Sequence, residues 1–298
     1  MHILITGGTG LIGRHLCKTL LAKGHELTVF SRNSASVPVK CGPAVRALSS
    51  LAEWLPALSF DAVINLAGEP IIDKRWTAQR KRVLWDSRIT LTGELVRRIA
   101  AAEHKPSVLL SGSAVGYYGD RGDLELDETA EAGEGFAADL CGAWEQAALG
   151  AKKSGVRVCL LRTAPVLSND GGLLGRMLPP FRLGLGARLG DGKQWMSWVH
   201  IDDYVVMVLR LLRDEQASGP YNMAAPNPVS NAEFTRMLAV ALHRPAPFVV
   251  PSAVLKLGMG ESASLLLGGQ RALPKKLQDA HYAFQFGGLQ GALKNLLG

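Results

Sequence analysis

The stretch Thr6-Gly7-Gly8-Thr9-Gly10-Leu11-Ile12-Gly13 decides the fold of this chain. It follows a short apolar run and opens a helical pattern. Gly7, Gly10 and Gly13 stand three residues apart, a spacing typical of a turn where backbone approaches a pyrophosphate and a helix packs closely on the preceding strand. The free amide groups at the helix N-terminus would face the phosphates. The sequence therefore predicts a dinucleotide-binding turn.

The first 165 residues alternate short apolar runs with helical patterns, as βαβ units do. The apolar runs are His2–Thr6, Glu26–Arg32, Asp61–Ala67, Ser107–Ser113 and Arg157–Ala164, with a weaker one at Ala44–Leu48. The helical patterns are Leu11–Lys23, Thr77–Glu103 and Phe136–Lys153, with a short one near Leu51–Leu58. Because the apolar runs are nearly continuous, both faces of the sheet should be covered. We predict an α/β, Rossmann-type, doubly wound parallel sheet over residues 1–165.

The alternation of strand and helix patterns ends after Pro165. There Asn169–Gly172 and Pro179-Pro180 predict breaks in regular structure. A short strand is expected near 198–201, a helix over 202–213 with Asp202 near its N-cap, and another over 231–243 with Asn231 as its cap. Turns and short helices should follow over 245–298. We interpret residues 166–298 as a smaller mixed, substrate-side part that packs on the sheet, with the chain crossing between the two parts.

Composition excludes several classes of protein. Hydrophobic residues make up 47% of the 298, which is ordinary for a globular protein, and no stretch approaches the roughly 18 apolar residues of a membrane helix. The N-terminus lacks the regions of a signal peptide. The four cysteines have neither metal nor disulfide spacing. We expect a cytoplasmic protein with reduced thiols, no metal and no membrane contact.

The net charge of +7 is concentrated in two windows. Residues 73–105 hold nine Lys or Arg against four Asp or Glu, and residues 171–198 hold four against one. Such segments can be solvated faces, or can bind nucleic acid, acidic lipid or a small anion. No nucleic-acid motif accompanies them, and both should border the ligand edge of the sheet. The hypothesis is that Arg182 and Arg188 close over an anionic substrate.

The end of the second predicted strand selects the dinucleotide. It reads Phe30-Ser31-Arg32-Asn33, without the carboxylate that would bind an adenosine ribose. Arg32 can pair with a 2′-phosphate and Ser31 can donate to it, although Arg32 could also be an ordinary surface arginine. This pattern favours NADP(H) over NAD(H).

Several segments resemble the extended short-chain dehydrogenase/reductase superfamily of NAD-dependent epimerases and dehydratases. They are Asn65-Leu66-Ala67-Gly68, Ser111-Gly112-Ser113-Ala114 with Tyr117-Tyr118-Gly119, Leu161-Arg162-Thr163 and Trp198–Asp203. Within that superfamily the chain is similar to the YfcH-like (SDR39U-type) epimerase family proteins, through Asn65–Trp76, Met177–Gly186 and Leu267–Lys275, the last in that family's characteristic C-terminal domain. The resemblance implies an NADP(H) binder without a well-defined substrate, with cofactor contacts at Gly7, Thr9, Gly10, Leu11, Ile12, Gly13, Ser31, Arg32, Leu66, Ala67, Gly68, Arg88 and Val166.

The superfamily's catalytic pattern is incomplete in this chain. Its members use a serine, a tyrosine as acid or base, and a lysine four residues later that lowers the tyrosine pKa. Ser113 matches the serine, but no tyrosine is followed by lysine four residues on. Aligning Glu145 with the family's usual glutamate puts Ala137 and Cys141 at the tyrosine and lysine positions.

Three residues remain candidates for catalysis: Ser113, Tyr117 and His200. Tyr117 with Arg121 would imitate a tyrosine–cation pair, although loop packing is an alternative. His200 could titrate near neutrality or could orient the helix that follows it. Trp195 and Trp198 could line a pocket or cover the core.

The leading functional hypothesis is an NADP(H)-dependent oxidoreductase that acts on a small molecule, anionic or aromatic, without the usual Tyr–Lys pair. The alternatives are an NADPH-binding sensor or scaffold without chemistry, and a sugar-nucleotide epimerase. A homodimer is possible. The sequence identifies neither the substrate nor the proton donor.

Overall fold

The computed structural model describes all of residues 1–298. Its strands are β1 (His2–Thr6), β2 (Glu26–Phe30), β3 (Arg46–Leu48), β4 (Ala62–Asn65), β5 (Val108–Ala114), β6 (Glu125–Leu126), β7 (Arg157–Thr163), β8 (Val166–Ser168), β9 (Ala187–Leu189), β10 (Trp195–Met196), β11 (Val199–His200), β12 (Gly219–Met223), β13 (Val229–Ser230), β14 (Phe248–Val250) and β15 (Arg271–Ala272). Its helices are α1 (Leu11–Ala22), α2 (Val37–Cys41), α3 (Ala78–Trp85), α4 (Leu91–Ala101), α5 (Phe136–Leu149), α6 (Gly172–Arg182), α7 (Ile201–Arg213), α8 (Asn231–Ala241), α9 (Ser252–Met259), α10 (Ser264–Leu267), α11 (Lys275–Asp279) and α12 (Leu289–Leu297).

The centre of the molecule is a parallel sheet of seven strands in the order β12-β7-β5-β4-β1-β2-β3. The order reverses between β1 and β4, so the chain leaves these two strands in opposite directions. A crevice opens at such a switch point, beyond the carboxyl ends of the strands. The predicted Rossmann-type doubly wound sheet is confirmed.

Helices cover both faces of this sheet because successive side chains of a strand point to opposite sides. Ile3 and Ile5 of β1 are buried in the core beneath α1 and α7, whereas Leu4 between them is buried on the other face, in the core that includes Leu95 of α4. All three β1 side chains are fully buried. This two-sided burial explains the continuous apolar runs of the sequence.

The predicted helix over 77–103 forms as one helical run with an irregular centre. Thr77 caps α3, its hydroxyl accepting a hydrogen bond from the Arg80 amide. A π-helical turn, Asp86–Thr90, joins α3 to α4. Single π turns of this kind widen a helix locally and occur often at functional sites. This one carries Ser87 and Arg88 beside the crevice.

Residues after 165 are bound into the same sheet. β12 pairs with β7 over five residues, and α7 contributes Tyr204 and Val208 to the core under α1. A third core forms among α6, α8 and α12. The later part therefore completes the sheet as well as covering its ligand edge, as the predicted crossing between the parts requires.

Three local predictions need correction. The tandem Pro179-Pro180 lies inside α6 and does not break it. The adjacent Leu178 and Phe181 are buried in a core, and this packing offsets the two amide donors that the prolines lack. α8 is capped by the Ser230 hydroxyl and not by Asn231. Asp202 lies near the N-cap of α7 as predicted, and the cap itself is the His200 ring. The stretch near 51–58 forms only a 3₁₀ turn at Leu51–Glu53. None of the helices is long and apolar enough to span a membrane.

Candidate functional site

The glycine turn between β1 and α1 can be built only with glycines at two of its positions. A Cβ on Gly7 would lie 2.7 Å from the Leu66 carbonyl, and Gly7 has a φ of 72°. A Cβ on Gly13 would lie 2.3 Å from the Gly7 carbonyl oxygen. Gly10 is less crowded, since its Cβ would meet only that same oxygen, at 3.2 Å. No side chain caps the N-terminus of α1, so its first amides are free to donate to an anion. The turn fits a pyrophosphate.

A buried polar network fixes the carboxyl ends of the strands around this turn. The Thr6 hydroxyl donates to Asn65 Oδ1 at 2.7 Å and accepts from the Ala67 amide at 3.2 Å. Asn65 Nδ2 in turn donates to the Thr92 and Ser111 hydroxyls. Because every member is paired, the network holds β1, β4 and β5 in register. The backbone under the crevice is therefore rigid before any ligand arrives.

A groove of about 650 Å³, here called the outer groove, runs from the turn to the end of β2. Of the predicted cofactor residues it is lined by Gly7, Thr9, Gly10, Ser31, Arg32, Leu66, Ala67 and Gly68. Lys40 and Glu69 also line it, and sequence reasoning missed both. Lys40 lies in α2, and a cation four residues before the start of a predicted strand gave no signal of its own.

Arg32 is held across the outer groove by an acidic partner. Its side chain is 83% exposed, and its guanidinium donates to Glu69 Oε1 at 2.8 Å. Glu69 also contacts Arg80, at 3.4 Å. The hydrogen bond from Arg32 is the largest influence that lowers the pKa of Glu69, so this carboxylate is charged at neutral pH. The arginine is thus placed at the strand end where a 2′-phosphate would need it.

The π turn supports the floor of the outer groove. Ser87 Oγ accepts a hydrogen bond from the Glu69 amide at 3.1 Å, and the Arg88 guanidinium donates to the Glu69 carbonyl at 2.9 Å. Arg88 does not line the groove but lies behind Gly68, where a Cβ would come within 2.9 Å of its guanidinium carbon. Burial lowers the pKa of Arg88. In this structure Arg88 positions the segment after β4.

The groove continues past the turn into a much larger space. A channel of about 240 Å³ is lined by Leu11, Ile12, Gly13 and Val166, and shares Gly7, Gly10 and Leu66 with the outer groove. The same channel shares Pro165 and Leu173 with a cavity of about 800 Å³, the apolar cavity. The predicted cofactor residues therefore line one continuous path, apart from Arg88 behind it.

Ser113 lies at the carboxyl end of β5 but does not line the apolar cavity. It is 4% exposed, and its hydroxyl donates to Glu145 Oε1 at 2.7 Å. Glu145 also receives two hydrogen bonds from Arg162, at 2.9 and 3.0 Å, in a buried bidentate pair. Burial alone would lower the pKa of Arg162, but the hydrogen bonds and charge of Glu145 raise it. Ser113 is thus part of a buried ionic cluster.

The tyrosine pair after β5 belongs to the same cluster. The Arg162 guanidinium lies 3.6 Å from the centre of the Tyr117 ring. Tyr118 donates to Asn222 Oδ1 at 2.7 Å, and burial raises its pKa to about 12. Arg121 does not pair with Tyr117, since it donates to the Tyr118 and Ala132 carbonyls. The cation beside Tyr117 is therefore Arg162, which the sequence spacing could not indicate.

Ala137 and Cys141, aligned with the family's tyrosine and lysine positions, both line the apolar cavity. Burial raises the pKa of the Cys141 thiol to about 11, so it is neutral at physiological pH. All four cysteines are free and buried. Where the usual pattern has a phenol and an ammonium group, this cavity has a methyl group and a thiol.

His200 lies away from the cavity, at the start of α7. It is 1% exposed, its Nδ1 accepts a hydrogen bond from the Asp202 amide at 3.1 Å, and its Nε2 lies 3.1 Å from Asn295 Oδ1. These contacts require a neutral ring with its proton on Nε2, and burial lowers the His200 pKa accordingly. The arrangement matches the alternative in which the histidine orients the helix.

The second basic window does not form the expected anion site. Arg182 is exposed and does not line the cavity, and Arg188 borders a separate surface groove along α8. Both side chains project from the outer side of the α6–β9 segment, which the glycine-rich sequence alone did not specify. Two tryptophans were expected either to line a pocket or to cover the core. Trp195 lines the cavity, and Trp198 is fully buried in the core. No group of three His, Cys, Asp or Glu side chains is placed to hold a metal ion.

The fold and the site define a doubly wound α/β protein whose crevice is shaped for a dinucleotide. The chain belongs to the NAD dependent epimerase/dehydratase family, whose model matches residues 3–224. A second model, described as a domain of unknown function (DUF1731), matches residues 250–296, within the tail predicted as family-specific.

Several relatives match the chain over nearly its full length. The epimerase family protein SDR39U1 homolog, chloroplastic, from Arabidopsis thaliana is 37% identical over 100% of this chain and 87% of its own. The epimerase family protein Mb2239 from Mycobacterium bovis is 41% identical over 98% and 96%. The crystal structure of the human epimerase family protein SDR39U1 (isoform 2) with NADPH has a TM-score of 0.90 at 35% identity, over 100% and 99% of the two chains. The resemblance to this family is confirmed.

Proposed function

We propose that this protein is an NADP(H)-dependent oxidoreductase that reduces a small carbonyl or quinone compound. The observation that carries the proposal is the continuous path from the outer groove, through the glycine turn, into the apolar cavity. A dinucleotide laid along it puts its adenosine end at Arg32 and its nicotinamide in the cavity. A human relative of the same family crystallised with NADPH supports this assignment.

The choice of NADP(H) rests on the charges of the outer groove. Arg32, Lys40 and the Ser31 hydroxyl surround the end of β2, and together they suit a 2′-phosphate. Of the two acidic residues that line this groove, Glu69 and Asp86, Glu69 forms the ion pair with Arg32. Binding a 2′-phosphate would let Arg32 exchange one anionic partner for another.

We propose that the proton comes from water. When bound, NADPH would supply the hydride, and the substrate oxygen must gain a proton. Ser113 cannot donate to a substrate while it donates to Glu145, and Tyr117 and His200 do not line the cavity. Cys141, with its raised pKa, is a weak acid. The chain's contribution to catalysis is then to align cofactor and substrate in a water-poor cavity.

The experiment is a screen for NADPH oxidation with carbonyl and quinone substrates, comparing wild type with Ser113→Ala. We expect at least one substrate to be turned over. Ser113→Ala should retain kcat within about tenfold, because losing a general acid typically costs 10²–10⁴-fold. If Ser113→Ala lost more than this in kcat while its fold stayed intact, Ser113 would have a direct catalytic role.

A non-catalytic NADPH-binding sensor is the second candidate, and the methyl and thiol groups of Ala137 and Cys141 favour it. Its signature would be tight NADPH binding with no turnover of any substrate in the screen. A sugar-nucleotide epimerase is less well supported, since such substrates carry charged phosphates and the apolar cavity presents no free cation to them.

A further inference from the structure

The walls of the apolar cavity come mainly from hydrophobic side chains. Nineteen of its 29 lining residues are hydrophobic. The end near the glycine turn is formed by small residues such as Ala114, Gly116 and Ala164, which leave room for a flat ring. Larger apolar side chains complete the lining, among them Met177, Phe181, Leu189, Met196, Val250 and Leu266. Methionine walls adapt to ligands of different shape.

The charged and amide groups of the cavity already have partners within the protein. Arg176 is the only charged lining residue, and it forms an ion pair with Asp73. Gln194 Nε2 donates to the Leu189 and Leu266 carbonyls.

The two remaining amides are similarly engaged. Gln270 Nε2 donates to the Gly119 carbonyl. Asn231 Oδ1 accepts from the Leu189 amide, and its Nδ2 donates to Met196 Sδ. These side chains hold the cavity walls together and leave no free cation for a ligand.

The physical consequence is selection against charge. A carboxylate or phosphate entering this cavity would lose its hydration in a lining that holds one cation, Arg176, and that cation would first have to leave Asp73, so binding of an anion is unfavourable. A hydrocarbon or aromatic surface would leave water at no such cost. The positive net charge of the protein therefore does not indicate the charge of its substrate.

We propose that the substrate is an uncharged, predominantly apolar carbonyl compound, bound with its hydrocarbon part against apolar walls that include Met177, Phe181 and Leu266. This inference rests on the proposed function, because it takes the near end of the cavity as the nicotinamide position. It replaces the anionic substrate considered from the sequence.

The test is a binding series on the protein loaded with NADP⁺, which cannot reduce the ketones, measured by calorimetry. The probes are the straight-chain methyl ketones from butan-2-one to decan-2-one, with carboxylates of matched length and UDP-glucose for comparison. Ketone affinity should rise about two- to fourfold for each methylene, as burial of apolar surface requires. Each carboxylate should bind at least about tenfold more weakly than its ketone.

Two outcomes would overturn the proposal: ketone affinity that does not change with chain length, or carboxylates or UDP-glucose that bind more tightly than the ketones. Failure of the oxidoreductase assignment looks different. In that case the ketones bind with the expected length dependence but NADPH is not consumed.

A pair of variants on one helix locates the binding. Met259 of α9 lines the cavity, whereas Val254 of the same helix is exposed and does not. Met259→Trp should weaken decan-2-one at least about tenfold more than butan-2-one, since it shortens the space for the chain. Val254→Trp should leave the affinities for decan-2-one and butan-2-one unchanged. Both variants should bind NADPH as tightly as wild type. Equal effects of the two variants would place the ketones elsewhere.

Discussion

At the residue scale, Gly10 and Gly13 have different tasks within one turn. Gly13 is enclosed, with the Gly7 oxygen 2.3 Å and the Gly8 Cα 2.5 Å from the place of its Cβ. Gly10 has an extended backbone with φ −77° that any residue can adopt, and its Cβ would point toward the ligand path. We expect the absence of a side chain at Gly10 to let the cofactor approach the backbone, whereas its absence at Gly13 lets the helix pack closely on the turn.

Substitutions at Gly10 and Gly13 should have different effects, on NADPH binding and on folding stability respectively. Gly13→Ala should lower the free energy of unfolding by about 1–3 kcal/mol or more, because the backbone around it must move. Gly10→Ala should leave stability within about 1 kcal/mol. It should weaken NADPH about tenfold or more, the equivalent of one lost charged hydrogen bond. Urea unfolding and calorimetry check the two effects, and equal destabilisation by both variants would contradict this division.

Sequence reasoning brought together residues whose placement is set by neighbours along the chain. The glycine turn, Arg32 and the segment after β4 are all read from local spacing, and all line one path. It failed where the partner is distant in sequence. Glu69 is 37 residues from Arg32, and the cation over Tyr117 is Arg162 and not Arg121.

At the element scale, the start of α7 depends on one neutral histidine. The His200 ring caps the helix through Nδ1, and stacks on Phe286 with ring centres 3.8 Å apart. Protonation would put a hydrogen on Nδ1 facing the Asp202 amide, so the cap would be lost. The element is therefore sensitive to pH through this residue.

The sign of this pH dependence follows from the lowered pKa. The folded pKa of His200 lies below the unfolded value of about 6.5, so near pH 6 the unfolded state binds more protons. Stability must then rise with pH in this range and fall as pH drops below about 6.5. His200→Asn, which keeps a capping side chain, should show a smaller loss between pH 7 and 5. Urea unfolding at several pH values tests this, and identical slopes for both proteins would refute it.

The boundaries of elements were the hardest part to predict. The sequence of Asp86–Thr90 is ordinary for a helix, and its π turn arises because Ser87 and Arg88 bond to the backbone of Glu69. The helix α6 continues through two prolines because Leu174, Leu178 and Phe181 anchor it in a core. Both features depend on tertiary contacts or on where a helix stops, which periodicity does not encode.

At the scale of the whole molecule, the division into residues 1–165 and 166–298 describes roles and not separate folding units. β12 and α7, both from the later part, complete the sheet and one of its cores. A fragment of residues 1–165 would leave β7 as an open edge and expose Cys159 and Leu161, which are fully buried in the intact chain.

We therefore expect the 1–165 fragment to lack cooperative unfolding in urea, and the full chain to unfold in one transition. Near-UV circular dichroism of the fragment and the full chain provides the measurement. A fragment with a native-like near-UV signal and a sharp transition of its own would show that the first part is an independent domain.

The cavity shows why function was harder to predict than fold. Its walls come from segments between Ile71 and Gln270, and no local pattern brings them together. The net charge of +7 suggested an anionic substrate, but Arg182 and Arg188 lie outside the cavity. The cations that we propose for the cofactor phosphate, Arg32 and Lys40, line the outer groove and not this cavity.

The central claim is that the path from Arg32 to the apolar cavity is an NADP(H) site, and calorimetry of NADPH and NADH with wild type and Arg32→Ala tests it most directly. Wild type should bind NADPH more tightly than NADH. The variant should lose about ten- to a hundredfold in NADPH affinity, the equivalent of one charged hydrogen bond to phosphate, with little change for NADH. Equal weakening of both nucleotides, or tighter binding of NADH by wild type, would contradict the account.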